Sequence, residues 1–175
     1  MANYKAGRWA VVEVIRKFKE MGKSVRQYIP EGSVWGECNY DGSWDVPDYV
    51  WIDNKKYLCP DVEIYKDKNF NEIVIRVEVK SFRDFPRDIK IGKEEDLFYI
   101  KEWQIKEYLK LQIQEEIPCR IIFVLGNESN FKFYWATLDN LLHKIKYKSV
   151  KYMGTNDEYY QNYYFWRAKD LRTNF

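Results

Sequence analysis

Cysteine and histidine are scarce in this chain of 175 residues, which has three cysteines and one histidine. The cysteines, Cys38, Cys59 and Cys119, are odd in number and form no Cys-x-x-Cys pair. Neither a disulfide framework nor a structural zinc site is therefore expected, and a reducing, cytoplasmic location is the simplest interpretation. His143, the single histidine, falls in a short amphipathic segment and is predicted to be a surface residue.

Long apolar runs and a strong net charge are also missing. No run approaches the ~18 residues of a membrane helix, and the N-terminus has no apolar signal-peptide core, so we expect a soluble chain without a membrane partner. The formal net charge is only +2, from 29 basic and 27 acidic residues, which does not by itself indicate nucleic-acid binding. No internal repeat or low-complexity linker divides the chain, and we predict one domain over residues 1–175.

Apolar periodicity predicts helices and strands in mixed order. Val11, Ile15 and Phe18 recur at helical spacing, which indicates a helix over residues 4–21. The segment 23–56 is irregular, with a possible strand at 45–52, and is a candidate for substrate recognition. The other predicted elements are a strand hairpin over 57–82, a long helix over 93–116 with Leu97, Ile100, Trp103, Tyr108 and Leu111 facing inward, a doubly buried strand over 119–125, a strand over 131–136, a short helix over 137–146 and a last strand over 163–167.

Charged side chains interrupt the apolar pattern of the predicted hairpin. Its second strand is apolar at every other position from Ile73 to Val79, so Glu78 and Lys80 fall together on the opposite face. Asp61 opens the first strand. A carboxylate and an amine on one face of an apolar hairpin cost free energy unless they meet water, each other or a metal ion. Such a conflict between pattern and chemistry is where a functional site is expected.

The available ligands favour a hard dication, because they offer oxygen and neither thiolate nor imidazole. Asp61 and Glu78 held about 5 Å apart would repel by roughly 3 kcal/mol at an effective dielectric constant near 20, and a divalent cation removes that cost. Simpler explanations exist for each residue. Asp61 could cap a turn after a proline, and Glu78 and Lys80 could form a solvated strand face. Glu63 points to the same face as Asp61, either as an alternative ligand or as an exposed residue.

Pro60-Asp61, followed by Glu78-Val79-Lys80 seventeen residues beyond Asp61, resembles the signature of the PD-(D/E)xK nuclease superfamily. This superfamily includes restriction endonucleases, Holliday-junction resolvases and RecB-type exonuclease domains. The order helix, hairpin, long helix and buried strand extends the resemblance over most of the first 125 residues. It implies an α/β fold with a restriction-endonuclease-like mixed central β-sheet flanked by α-helices, in which 23–56 and 126–175 elaborate the core.

The resemblance implies a DNA endonuclease that hydrolyses phosphodiester bonds with Mg²⁺, for which Mn²⁺ could substitute. Asp61 and Glu78 would bind the metal together with the carbonyl oxygen of Val79. Lys80 would orient or deprotonate the attacking water, or neutralise developing charge. The first helix of the family often carries a glutamate that faces the metal. Glu13 occupies the matching position, where it would hold a second metal or an outer-shell water.

The segment from Gln104 to Tyr108 resembles the Gln-x-x-x-Tyr motif of RecB-like helices. Gln104 is seven residues from both Leu97 and Leu111, which places its amide in the apolar stripe of the predicted helix. An unpaired buried amide would cost about 1–3 kcal/mol, so we expect a partner near the active site. A contact between Gln104 and Tyr108 within the core is the alternative.

Several assignments stay open at this stage. Glu13 could form a surface ion pair with Lys17, four residues on. The basic-aromatic loop, with Phe82, Arg83, Phe85, Arg87 and Lys90, could contact phosphates and bases or simply be solvated. We expect double-stranded or branched DNA as the partner, with a homodimer as one arrangement that cuts two strands. The alternative function is a nuclease fold without catalysis that serves as a nucleic-acid-binding or protein-interaction module.

Overall fold

The computed structural model of the protein describes residues 4–28, 49–85, 96–152 and 160–175. Within these ranges three α-helices, one short 3₁₀-helix (Ala168–Asp170) and ten strands follow one another. The α-helices are α1 (Tyr4–Glu20), α2 (Glu102–Glu115) and α3 (Leu138–His143). The strands are β1 (Ser24–Gln27), β2 (Tyr49–Ile52), β3 (Lys55–Leu58), β4 (Val62–Tyr65), β5 (Ile73–Phe82), β6 (Leu97–Lys101), β7 (Cys119–Asn127), β8 (Asn130–Thr137), β9 (Tyr147–Tyr152) and β10 (Tyr160–Arg167).

Helix α1 forms where the apolar spacing predicts it. Ala10, Val14 and Phe18 recur on one face and are at most 2% exposed. The chain leaves the helix through Gly22, whose positive φ of 75° is open to glycine without a steric penalty. This face packs on the central sheet, so the helix is stabilised mainly by the apolar area that it buries.

The central sheet has five strands in the order β1-β4-β5-β7-β8. Strands β4 and β5 form the predicted antiparallel hairpin, with Val62 opposite Val77. Strand β7 runs parallel to β5, and α2 lies between them in the sequence. Since the remaining pairs are antiparallel, the sheet is mixed.

Each face of the sheet has its own core. Val77 and Val79 of β5 and Ile122 and Val124 of β7 pack with α1. Ile121 and the neighbouring odd-numbered positions of β7 face the other way, toward α2, α3 and a second sheet of order β6-β10-β9. Strand β7 is thus buried on both faces, as predicted. A mixed central sheet flanked by helices confirms the predicted fold class.

The predicted helix over 93–116 is wrong in its first part. Leu97 and Ile100 belong to β6, which pairs with β10 so that Leu97 lies opposite Arg167. Trp103, predicted to face inward, is 38% exposed, whereas Tyr108 is buried as predicted. The spacing of apolar residues over 97–101 fits a strand as well as a helix. Only the distant partner β10 decides between them.

The other predicted elements form within a few residues of their predicted positions. Strand β2 lies in the predicted segment 45–52, of which residues 45–48 are outside the described part, as is Cys38. Strands β8 and β10 and helix α3 form near the predicted positions, whereas β1, β3 and β9 were not predicted as separate strands. The single domain over 1–175 stays a prediction. None of the described helices is long and apolar enough to cross a membrane.

Candidate active site

Asp61 lies where the β4–β5 ladder ends. The ladder of hydrogen bonds stops at the pair Val62–Val77. The Val79 N–H is the next one along β5 that points toward β4, and it has no backbone partner on β4. The Val79 N–H donates instead to Oδ2 of Asp61, at 2.8 Å. The carbonyl oxygen of Asp61 accepts from the Tyr28 N–H, also at 2.8 Å. The carboxylate is therefore fixed at the point where the two strands separate.

Glu78 and Lys80 share the face of β5 that is turned toward α2, as the alternation predicts. Glu78 is 4% exposed. The Lys80 ammonium lies 2.5 Å from Oε1 of Glu78, and the lysine side chain is 24% exposed. A buried carboxylate thus has its counter-ion two residues along the same strand, and that counter-ion reaches water.

Tyr108 of α2 adds a buried hydroxyl to this group. Burial raises the pKa of its phenol well above the usual value, and the charges of Glu78 and Asp61 and a hydrogen bond to Glu78 act in the same direction. Because the phenol stays protonated, its O–H can donate to the Glu78 carboxylate. The Lys80 cluster is the name used below for Asp61, Glu78, Lys80 and Tyr108.

Cys119, the first residue of β7, is a buried thiol within electrostatic range of both carboxylates. Burial raises the pKa of its thiol, and the charges of Glu78 and Asp61 raise it further while Arg76 opposes them. A neutral thiol is a poor metal ligand, since metals bind the thiolate. The donors offered by the Lys80 cluster are therefore oxygen atoms and one amine. Both carboxylates act on Tyr108 and on Cys119, which indicates that they converge on one region.

Two predicted site residues have surroundings that differ from the expectation. Glu13 is bound by Arg16, whose Nε and Nη2 lie 2.8 and 2.6 Å from its Oε2, and not by the predicted Lys17. Gln104 is half-buried on α2, one turn before Tyr108. The predicted burial of Gln104 depends on Leu97 belonging to the same helix. Leu97 lies in strand β6, so that reason is wrong. The Tyr108 hydroxyl is engaged with Glu78.

Glu63 is buried rather than exposed, and its carboxylate is bonded to Arg76. It is 8% exposed and bonded to Nη1 of Arg76 at 2.7 Å. Arg76 also forms a two-pronged contact with Glu115 at 2.6 and 2.7 Å. The Tyr65 hydroxyl donates to the other oxygen of Glu63. The Arg76 cluster is the name used below for Glu63, Tyr65, Arg76 and Glu115.

The Arg76 cluster was missed from the sequence. Burial by itself would lower the pKa of Arg76, but hydrogen bonding to Glu115 and the charges around it raise the pKa above the usual value, so the guanidinium keeps its charge. The signal that could have revealed the Arg76 cluster is a pair of opposite charges, Glu63 on β4 and Arg76 on β5, which face each other in the hairpin. Opposite charges that face each other on an antiparallel pair stabilise it.

The remaining candidates lie outside this region or outside the described residues. His143 is exposed, as predicted. Phe82 and Phe85 pack against the core that faces α2 and are not free for stacking on bases, while Arg83 is exposed. Arg87 and Lys90 lie outside the described residues. In the part of the chain that the structure describes, no three His, Cys, Asp or Glu residues gather as a metal-binding group.

The fold and the site together define an α/β protein with two carboxylates and a lysine at the end of a central hairpin. No family model matches the chain, and no curated protein matches its sequence. Among solved structures it aligns with Hjc, a Holliday junction resolvase of the archaeal hyperthermophile Archaeoglobus fulgidus, over 95% of this chain and 90% of that one, with 7% identity and a TM-score of 0.49.

A second similar structure is D212, a nuclease from a fusselovirus. The alignment covers 94% of this chain and 80% of that one, with 13% identity and a TM-score of 0.46. Both scores and both identities are low, so these likenesses carry no weight in assigning a function. That assignment depends on the side chains of the Lys80 cluster.

Proposed function

We propose that this chain is a metal-dependent nuclease that hydrolyses DNA phosphodiester bonds at the Lys80 cluster. One observation carries the proposal: Asp61, fixed by the Val79 N–H at 2.8 Å, meets the face of β5 on which the Lys80 ammonium lies 2.5 Å from Glu78. The Arg76 cluster also places two carboxylates around one cation, but its guanidinium is 4% exposed, whereas the Lys80 side chain is 24% exposed. Beside this open ion pair a second carboxylate is held by a backbone hydrogen bond.

The donor set fits a magnesium ion. Two carboxylates and one ammonium leave an excess negative charge in a partly buried region, and a dication would remove it. Asp61 and Glu78 would hold the ion, with the Val79 carbonyl as a further oxygen ligand. Mg²⁺ is commonly bound by one or two carboxylates, with water and substrate phosphate completing its octahedron. The absence of a third acidic ligand from the described residues therefore agrees with magnesium better than with calcium.

The roles of the chain's own residues follow from their surroundings. Bound Mg²⁺ would supply charge neutralisation at the phosphate and a more acidic water. Lys80, partly open to solvent, would orient that water or neutralise charge on the phosphate as it develops. The hydroxyl of Tyr108 would hold Glu78 in one rotamer, since a ligand fixed by an outer hydrogen bond loses less freedom on binding.

Glu13 and Gln104 complete the proposed site as secondary members. Glu13 lies on α1, which packs on the other face of the sheet, and it would have to release Arg16, to which it is bonded at 2.6 Å, before holding a second metal or an outer-shell water. Gln104 lies one helical turn from Tyr108 and would contact the substrate side of the same helix face. Double-stranded or branched DNA is the proposed substrate and a homodimer the proposed assembly.

The test compares pairs of substitutions on the same hairpin. Glu78→Gln and Lys80→Met should each lower the rate of Mg²⁺-dependent DNA cleavage by at least about a hundredfold. The matched controls are Glu72→Gln and Lys66→Met, which change a solvent-exposed ion pair whose atoms lie 3.0 Å apart. These controls should cleave like the wild type.

A panel of linear, nicked and four-way DNA and of RNA identifies the substrate. Cleavage that survives both Glu78→Gln and Lys80→Met would refute the assigned site. A wild-type chain that binds DNA but cleaves no member of the panel with Mg²⁺ or Mn²⁺ would establish the non-catalytic binding module instead.

A further inference from the structure

Two guanidinium groups lie against one tryptophan on the face of the central sheet that packs with α1. Arg120 of β7 and Arg172 near the C-terminus have their Cζ atoms 4.2 and 5.0 Å from the centre of the Trp135 ring. Trp135 is fixed, because its indole N–H donates to the Asn174 carbonyl oxygen at 2.7 Å. Its backbone also pairs with that of Arg172. The two cations are thus held together by a rigid support.

Neither guanidinium has an anionic partner among the described residues. The Nε of Arg120 is buried and makes no hydrogen bond there, and none of the described ion pairs includes Arg120 or Arg172. Arg16 of α1 and Arg76 are, in contrast, bonded to carboxylates. Burial and the charge of Arg172 lower the pKa of Arg120. Two like charges beside a buried unpaired donor are unfavourable unless an anion is bound.

We infer that Arg120 and Arg172 form a binding site for a phosphate group. Two guanidinium forks match the oxygens of a phosphate and give charge-assisted, paired hydrogen bonds. The indole ring of Trp135 is only 8% exposed, so it supports the guanidinium groups and offers no free face for stacking on a base. The ligand contacts are therefore to phosphate, which in a nucleic acid would position the chain without reading its sequence.

This phosphate site is separate from the Lys80 cluster. Ile121 of β7 is the register partner of Glu78 and faces α2. Arg120 is the next residue along β7 and lies over Trp135, which belongs to the core on the α1 face. Because adjacent strand residues point to opposite faces, the two sites lie on opposite sides of one sheet. The inference does not depend on the proposed cleavage activity.

The experiment measures DNA binding in EDTA, so that no cleavage occurs. The dissociation constant of a labelled duplex is followed by fluorescence anisotropy over a series of salt concentrations. Each lost phosphate contact lowers the slope of the logarithm of the dissociation constant against the logarithm of the salt concentration by about 0.9. Because the two arginines share one phosphate, the Arg120→Gln/Arg172→Gln variant should lower the slope by about 0.9.

The matched control is Lys55→Gln/Lys68→Gln, which removes the same two charges from exposed positions at hairpin turns. It should lower the slope by less than half as much. Arg172→Gln alone, a change at an exposed residue, keeps the test valid if the double variant does not fold, and should lower the slope by up to about 0.9. An equal fall in the control would show a net-charge effect and overturn the inference.

A second arm distinguishes the source of the phosphate. The midpoint of thermal unfolding is measured in inorganic phosphate and in chloride at equal ionic strength. A phosphate-specific rise in the wild type that is lost in Arg172→Gln, without a change in DNA slope, assigns the site to a free phosphate or nucleotide. A change in DNA slope assigns it to a nucleic-acid backbone.

If the arginine variants show the wild-type DNA slope and the wild-type response to phosphate, the inference is overturned. Neither arm depends on cleavage, so this result is separate from the test of the proposed nuclease function.

Discussion

The Arg76 cluster and the Lys80 cluster are built from the same parts. Each contains two carboxylates, one cation and one tyrosine. Each takes one carboxylate from the β4 side of the hairpin, Glu63 or Asp61, and a residue of β5 from the same face. Glu63 and Asp61 are two residues apart on the β4 side, and Arg76 and Glu78 are two residues apart on β5. Composition and formal charge therefore do not distinguish a structural site from a candidate catalytic one.

Geometry distinguishes the two clusters. The guanidinium of Arg76 bonds both Glu115 oxygens and Glu63 at once, and its side chain is 4% exposed. Its planar fork is pre-organised for carboxylates. Lys80 presents a compact ammonium that is partly open to water. The closed cluster uses its donors within the protein, whereas in the open one the ammonium reaches solvent beside a buried Glu78 and a half-buried Asp61.

The largest effect is expected from Arg76→Met. Removing the cation leaves Glu63 and Glu115 buried without a counter-charge, which should lower the free energy of unfolding by about 3–5 kcal/mol. Urea denaturation measures the loss. The matched change, Lys80→Met, should cost less, because its surroundings reach water. Equal losses from the two substitutions would remove the distinction between a closed and an open cluster.

Asp61→Asn should act on chemistry more than on folding. The amide oxygen can still accept the Val79 N–H, whose bond to Asp61 is 2.8 Å long, but the charge that would hold a metal is lost. We expect DNA cleavage to fall by at least about a hundredfold, or about 2.7 kcal/mol in the barrier. Stabilisation by Mn²⁺ in thermal unfolding should also disappear.

The matched change for Asp61→Asn is Glu63→Gln in the Arg76 cluster. It should lower stability while the folded protein keeps its cleavage rate. If Asp61→Asn leaves both cleavage and Mn²⁺ stabilisation at wild-type levels, Asp61 is not a metal ligand.

Local signals of the sequence were sufficient for the hairpin and for the candidate site. Alternation along β5 separated Glu78 and Lys80 from Val77 and Val79, and the structure keeps them on opposite faces. The proline before Asp61 marked the start of the neighbouring strand. The alternation and the proline are both features of neighbouring residues, so they can be seen directly in the sequence.

Contacts between distant segments could not be read in the same way. Strand β6 was taken for helix because its partner β10 lies more than sixty residues away in the sequence. The two-pronged contact of Arg76 joins β5 to the last turn of α2, 39 residues on. Glu115 at a helix C-terminus is electrostatically unfavourable by itself, and only its pairing with Arg76 explains it.

A smaller effect is expected from Tyr108→Phe. It removes the hydroxyl that bonds to Glu78 and leaves the ring in the core. Loss of an outer-shell partner lowers metal affinity by about 10–100-fold, and we expect the lower end because Lys80 still holds Glu78. The Mg²⁺ concentration for half-maximal cleavage should rise about tenfold. Tyr65→Phe, the equivalent change in the Arg76 cluster, should leave it unchanged, and a rise in both variants would point to a general loss of order.

The last effect is a pH dependence of stability in the Arg76 cluster, which is confined to alkaline pH. Burial and the hydrogen bond to Glu63 raise the pKa of Tyr65 from 10.0 to about 12. Between these values the unfolded chain releases a proton that the folded chain keeps, so stability falls as pH rises, by about 1.4 kcal/mol per pH unit for one such group. Tyr65→Phe has no proton to lose there. The stability advantage of the wild type over Tyr65→Phe in urea denaturation should thus be constant below pH 10 and shrink between 10 and 12. An advantage that stays constant over that interval would show that Tyr65 ionises equally easily in both states and that its hydroxyl is not held by Glu63.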